Sequence, residues 1–138
     1  MEIIKDSLTI NSKSRFHIID ITGIVNKKIK DSKINCGIIN IFSKHSTSAI
    51  VINENESGLG VDIENKLYDL IPPNQDYSHD VIDNNCDSHL KSFFLGSSET
   101  VPIKDCRLDL GTWQSVFFIE LDGPRSKREV NLTIIGQK

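Results

Sequence analysis

Two apolar runs restrict this chain more than any other feature. Ile34 to Phe42 is nearly continuous in isoleucine, cysteine, glycine and phenylalanine, and Ser115 to Leu121 reads Ser-Val-Phe-Phe-Ile-Glu-Leu. Short unbroken runs of this kind are strands buried on both faces, or strands packed under a helix, so the fold must cover a sheet with a second layer. Other segments supply partners. Glu2–Ile10, Arg15–Ile21, Ala49–Asn53, Val101–Leu110 and Arg128–Gly136 all read as extended, the fourth interrupted at Asp105 and Cys106. Gly111–Gln114 and Asp122-Gly123, the latter followed by Pro124, read as turns.

Three stretches carry helical spacing. Thr22 can cap a helix over Gly23–Lys30, with Val25 and Ile29 on one face. Val61–Leu70 places Ile63, Leu67 and Leu70 together and ends before Pro72-Pro73. A third helical segment begins at Ser78 or Asp80 and stops at Leu95-Gly96, with Ile82, Cys86, His89, Leu90 and Phe93 on its predicted inward face. With six to eight strands and three helices expected, the fold class is α+β: mostly antiparallel sheets packed as a sandwich, with helices on it. Residues 1–138 form one domain without repeats or a linker.

Composition narrows the function. The chain has 138 residues, 38% of them hydrophobic and 25% charged, with a net charge of −3, so no basic field exists to hold nucleic acid. No apolar run approaches the roughly 20 residues of a membrane helix. The opening Met-Glu-Ile-Ile-Lys-Asp does not read as a signal peptide. Three cysteines without CxxC spacing, Cys36, Cys86 and Cys106, suit a reducing compartment, and the expected location is the cytoplasm.

The chemistry concentrates in histidines. Ser78 to Lys91 holds His79 and His89 among three aspartates and a cysteine, and His45 sits in a polar break between two strands. Three imidazoles are a set that zinc or a related transition metal accepts, although the spacing matches no local metal motif; a capping His79 and a hydrogen-bonded core His89 are the alternative. Asn85, four residues before His89, can touch it. Glu120 follows three apolar residues, which would raise its pKa toward that of a general acid or base, and Arg125 stands on a stiff turn where it can grip phosphate or simply pair with Asp122. Trp113, beside Gln114, is either a stacking platform or a core anchor. Ser46, Thr47 and Ser48 offer hydroxyls and amides to an anion. No GxxxxGK[ST], GxGxxG or GxSxG pattern is present, so no nucleotide cofactor and no nucleophile-elbow hydrolase are expected.

Six stretches together resemble the YjbQ family, also called the secondary thiamine-phosphate synthase family. They are His45-Ser46-Thr47-Ser48-Ala49 with Asn53-Glu54, Tyr77-Ser78-His79-Asp80, Asn85 with Ser88-His89-Leu90-Lys91, Leu95 to Pro102, Leu110 to Gln114, and Glu120 to Arg125. They run in family order over nearly the whole chain. The resemblance implies an α+β homotrimer that joins a hydroxymethylpyrimidine pyrophosphate to a thiazole phosphate and releases pyrophosphate. It implies catalytic roles for His79, His89 and Glu120, and substrate contacts from Thr47, Asn53, Glu54, Asn85, Trp113, Gln114, Asp122 and Arg125. It also implies a divalent metal: zinc at His45, His79 and His89, or magnesium with the pyrophosphate. A metal-dependent hydrolase, or a protein that only binds a metal or phosphorylated metabolite, is the alternative. Two departures stand out: Cys106 where the family usually has glycine, and the loop Asn55–Gly60.

Overall fold

The computed structural model describes residues 1–138 and consists of two antiparallel sheets with helices at their margins. The larger sheet runs β1–β8–β3–β5–β6, from β1 (Glu2–Ile10), β8 (Arg128–Gln137), β3 (Cys36–Ser43), β5 (Ser98–Lys104) and β6 (Arg107–Leu108). The smaller runs β2–β7–β4, from β2 (His17–Asp20), β7 (Ser115–Glu120) and β4 (Ser48–Asn53). The expected α+β sandwich is what forms, and no helix is long and apolar enough to cross a membrane.

The alternation of side chains explains why the sheets stack. Along β8, Arg128, Val130, Leu132 and Ile134 are buried while their neighbours are more open. Val130, Leu132 and Ile134 share one core with Val116, Phe118 and Ile50 of the smaller sheet, which α1 (Thr22–Ser32) completes with Val25 and Ile29. On the opposite face of β7, Phe117, Ile119 and Leu121 form a second cluster with Ala49. Both faces of β7 are therefore covered, as its unbroken apolar run requires.

Three helical readings change. The helix predicted over Val61–Leu70 begins a turn earlier, as α2 (Ser57–Leu70), because the Glu56 carboxylate accepts the amides of Gly58 and Leu59 and acts as N-cap. The single helix predicted from Ser78 to Leu95 is broken: a 3-10 turn over Ser78–Val81 is followed, after a bend, by α3 (Cys86–Leu95). Asp80 still caps, but at a distance, accepting the Cys86 amide at 2.9 Å. The predicted inward face is also wrong, since Ile82 and Phe93 are 81% and 83% exposed. α3 instead buries Asp87, Ser88, Lys91 and Ser92. The reason is what lies beneath it, the carbonyl-bearing ends of the smaller sheet: Ser88 donates to the Leu121 carbonyl, Ser92 to that of Ser48, and Asp87 receives Arg15 and Lys91. α3 does end where expected, at Gly96, whose φ of +93° suits glycine.

Candidate functional site

At one end of the sandwich the two sheets are tied by a buried ion pair. Glu120 closes β7 and Arg128 opens β8, each pointing between the layers, with 0% and 4% exposure. The Glu120 carboxylate accepts five hydrogen bonds: Ser12 Oγ, the Leu121 and Asp122 amides, and Nε and Nη2 of Arg128. Burial by itself raises the Glu120 pKa, but these donors outweigh it, Arg128 foremost, and hold the pKa below the ordinary value. Glu120 is thus corrected from a poised acid or base to a fixed carboxylate that no substrate reaches. Gly123 makes this knot possible: a Cβ there would lie 2.3 Å from the Ser14 carbonyl and 2.7 Å from Ser12 Oγ. The close approach lets Ser12 Oγ receive the Arg125 amide at 2.8 Å.

Arg128 and its neighbour Glu129 also hold the loop that carries His45. Arg128 Nη2 donates to Thr47 Oγ1 at 2.9 Å, so the buried Thr47 hydroxyl serves the knot and not a substrate. The Lys44 amide donates to the Glu129 carbonyl, and the Glu129 amide donates to His45 Nε2 at 2.8 Å. A nitrogen that accepts an N–H carries its lone pair toward it and no proton of its own, so His45 is neutral and protonated on Nδ1. Burial lowers the His45 pKa, and the Arg128 charge lowers it further.

His79 is held the opposite way. Asp122 Oδ2 accepts from Asn85 Nδ2 at 2.9 Å and from Arg125 Nη2 at 2.9 Å. An ionised carboxylate only accepts, so the amide nitrogen of Asn85 must face it, and the amide oxygen faces His79 Nε2 at 3.1 Å. His79 therefore donates from Nε2, and its Nδ1 has no hydrogen-bond partner within the chain. His89 packs edge to face on it, ring centroids 4.7 Å apart at 76°. His89 and His45 both line an open cavity of about 670 Å³ together with Lys44, Ser46, Ser92 and Phe93.

The structure thus joins His79, Asn85, Asp122 and Arg125 in one chain of hydrogen bonds and brings His89 and His45 to one cavity. The Arg125 guanidinium is turned back onto Asp122, also donating from Nε to that residue's carbonyl. The other predicted contacts lie elsewhere. Trp113, 73% exposed, and Gln114 sit in the turn before β7, where Gln114 Oε1 accepts the Gly111 amide. Asn53 and Glu54 border a small cavity of about 140 Å³ beside the start of α2. No three His, Cys, Asp or Glu side chains stand in an arrangement that could hold a metal. His45 fails as a ligand for a specific reason, its Nε2 lone pair being already engaged; His79 Nδ1 and His89 keep that capacity. Arg128 and Ser12 were missed from the sequence, although the parity Arg128 shares with Val130, Leu132 and Ile134 was a signal that could have found it.

A small two-sheet α+β protein with a histidine-lined cavity beside a buried ion pair is the class that fold and site define. The comparisons make it particular: the chain belongs to the UPF0047 YjbQ-like family, whose profile matches residues 6–137. A UPF0047 protein of Methanothermobacter thermautotrophicus is 49% identical over 99% of this chain and 95% of its own length. YjbQ of Escherichia coli O157:H7 is 29% identical over 95% and 96%. The crystal structure of a YbjQ-like protein of unknown function from Sulfolobus solfataricus superposes with a TM-score of 0.95, 39% identity and 99% coverage of both chains.

Proposed function

We propose that the cavity bounded by His45 and His89 is the active site of a transferase acting on small phosphorylated substrates, with pyrophosphate-releasing coupling of a hydroxymethylpyrimidine pyrophosphate to a thiazole phosphate as its reaction. The observation that carries the proposal is the chain Arg125–Asp122–Asn85–His79, which fixes the His79 ring through Nε2 and leaves Nδ1 without a partner in the chain, beside His89 at the cavity wall. In such a displacement a carbon–oxygen bond to pyrophosphate breaks as the bond to the thiazole nitrogen forms, and negative charge gathers on the leaving group. Lys44 and the serine hydroxyls of the wall suit that charge, and the cavity lining contains no carboxylate to repel it. His89, backed by His79, is the group placed to move a proton.

The test is formation of thiamine phosphate by purified protein. His79→Ala and His89→Ala should each abolish it while circular dichroism and the melting transition stay close to those of the parent. Unchanged turnover in either variant would sink the proposal.

A metal-dependent hydrolase is the second reading, favoured by one observation. A metal-ligating histidine commonly donates its other N–H to a hydrogen-bonded neighbour, as His79 does to Asn85. This chain then supplies His79 and His89, with the remaining ligands from elsewhere. Screening phosphate esters with and without chelator, alongside metal analysis, separates this reading from the first. Self-association, as the homotrimer that the family resemblance implies, is part of the proposal too: α2 has no fully buried side chain within the chain, and Val61, Tyr68, Leu70, Phe93 and Phe94 are exposed. The expected site of action is the cytoplasm.

A further inference from the structure

We infer that His45 is a neutral hydrogen-bond donor, presenting Nδ1–H to an anionic oxygen of the ligand in the cavity, and is neither a metal ligand nor a base. Three observations carry this. First, Nε2 accepts the Glu129 amide at 2.8 Å, which an imidazolium cannot do. Second, Nδ1 has no partner within the chain, and since no buried side-chain nitrogen or oxygen lacks one, it is open to solvent. Third, His45 lines a cavity whose other polar groups are Lys44, His89 and serine hydroxyls, with no carboxylate among the lining residues. A cavity of donors and hydroxyls is suited to a phosphate or pyrophosphate oxygen.

The surrounding structure keeps this donor in one place and one state. The Ser48 hydroxyl donates to the His45 carbonyl at 3.1 Å, and Arg128 grips Thr47 two residues on. The charges around the ring come from every side: Arg128 and Arg125 disfavour a second proton, whereas Glu120 and Glu129 favour one. Protonating Nε2 would also require breaking its bond with Glu129. A fixed N–H of a neutral imidazole polarises an oxygen without itself becoming an acid whose proton is lost to the ligand. The assignment rests on the cavity being the ligand site, as proposed above, but fails separately from it.

Two-bond proton–nitrogen spectra of the full chain labelled at histidine nitrogen read the tautomers directly. His45 is expected to show a protonated Nδ1 and a bare Nε2, and His79 a protonated Nε2. Adding inorganic pyrophosphate should shift the His45 Nδ1 signal in a saturable way. His45→Leu should weaken pyrophosphate binding roughly tenfold or more, the effect of removing one hydrogen bond to a charged group. His45→Asn, whose amide N–H falls near the position of Nδ1, should retain most of the affinity. A proton on His45 Nε2, an Nδ1 signal unmoved by pyrophosphate, or parental affinity in His45→Leu would each overturn the inference. The spectra of the unsubstituted protein decide it even where a variant folds poorly. Absence of thiamine-phosphate formation would refute the transferase reading and leave these spectra unaffected.

Discussion

His45 lines the cavity and His79 packs on the cavity-lining His89, and the fold hydrogen-bonds these two like side chains in opposite ways. His45 is fastened through Nε2 to a backbone amide and offers a proton from Nδ1. His79 is fastened through Nε2–H to an amide oxygen, with Nδ1 free of partners within the chain. The supports differ as well. Behind His45 lies the buried Glu120–Arg128 pair, with five hydrogen bonds on the carboxylate, whereas behind His79 lies Asp122, partly open and held by the half-exposed Arg125. Buried charges held by many hydrogen bonds make a rigid support; a partly solvated chain can adjust to a ligand. The comparison teaches that imidazole count says little until the partner of each ring nitrogen is known.

The most severe way to break this contrast is at the buried pair. Glu120→Gln leaves the Arg128 guanidinium buried without its counter-charge and should cost about 3–5 kcal/mol. Urea unfolding measures it, and a loss below about 1 kcal/mol would show that the knot is not the support described. The same variant tests pH dependence. The folded-state pKa of Glu120 is lowered from 4.5, so the unfolded state binds more protons as pH falls. The stabilisation is present above that value and is lost as pH drops through the folded pKa. The parent protein should therefore lose stability below about pH 4.5 more steeply than Glu120→Gln does.

A smaller effect is expected on the other side. Asn85→Leu removes the group between His79 and Asp122, and with one partner of a buried polar network gone it should cost about 1–3 kcal/mol. Its sharper signature is local: the His79 Nε2–H resonance, protected in the parent, should broaden or vanish while that of His45 Nδ1–H is unchanged. Loss of both would show that the two walls are one unit.

The smallest change lies away from both. Asp105 and Cys106 form the β5–β6 turn with φ of 53° and 60°. A non-glycine residue in the left-handed region carries about 1–2 kcal/mol of steric cost, so Cys106→Gly should stabilise the protein by up to about 1 kcal/mol after the added freedom of the unfolded chain is counted. Thermal unfolding checks this, and histidine spectra should not move.

Much of the architecture was written in the order of residues. The double-sided apolar run Ser115–Leu121 required a covered sheet, and the alternation along Arg128–Gln137 required one buried face, because strand geometry turns a period of two into two surfaces. The stop at Gly96 is likewise a local effect, whereas the apolar period alone started the second helix at Val61 and missed the Glu56 cap. The helix at Ser78–Leu95 was not readable in this way: its apolar period pointed Ile82 and Phe93 inward, but the surface beneath it presents carbonyls and charges from residues such as Ser48, Leu121 and Arg15, which are far away in sequence.

The same limit governs the site. The chain alone specified which imidazoles, carboxylates and guanidinium groups exist and that His45, His79 and His89 belong to one family pattern. Only the tertiary structure decided that Glu120 pairs with Arg128 rather than serving as an acid, that Thr47 is spent within the knot, and that Nε2 accepts in His45 but donates in His79. Those outcomes depend on hydrogen-bond partners 84 residues from His45 and 6 from His79, and on burial, none of which a one-dimensional pattern contains.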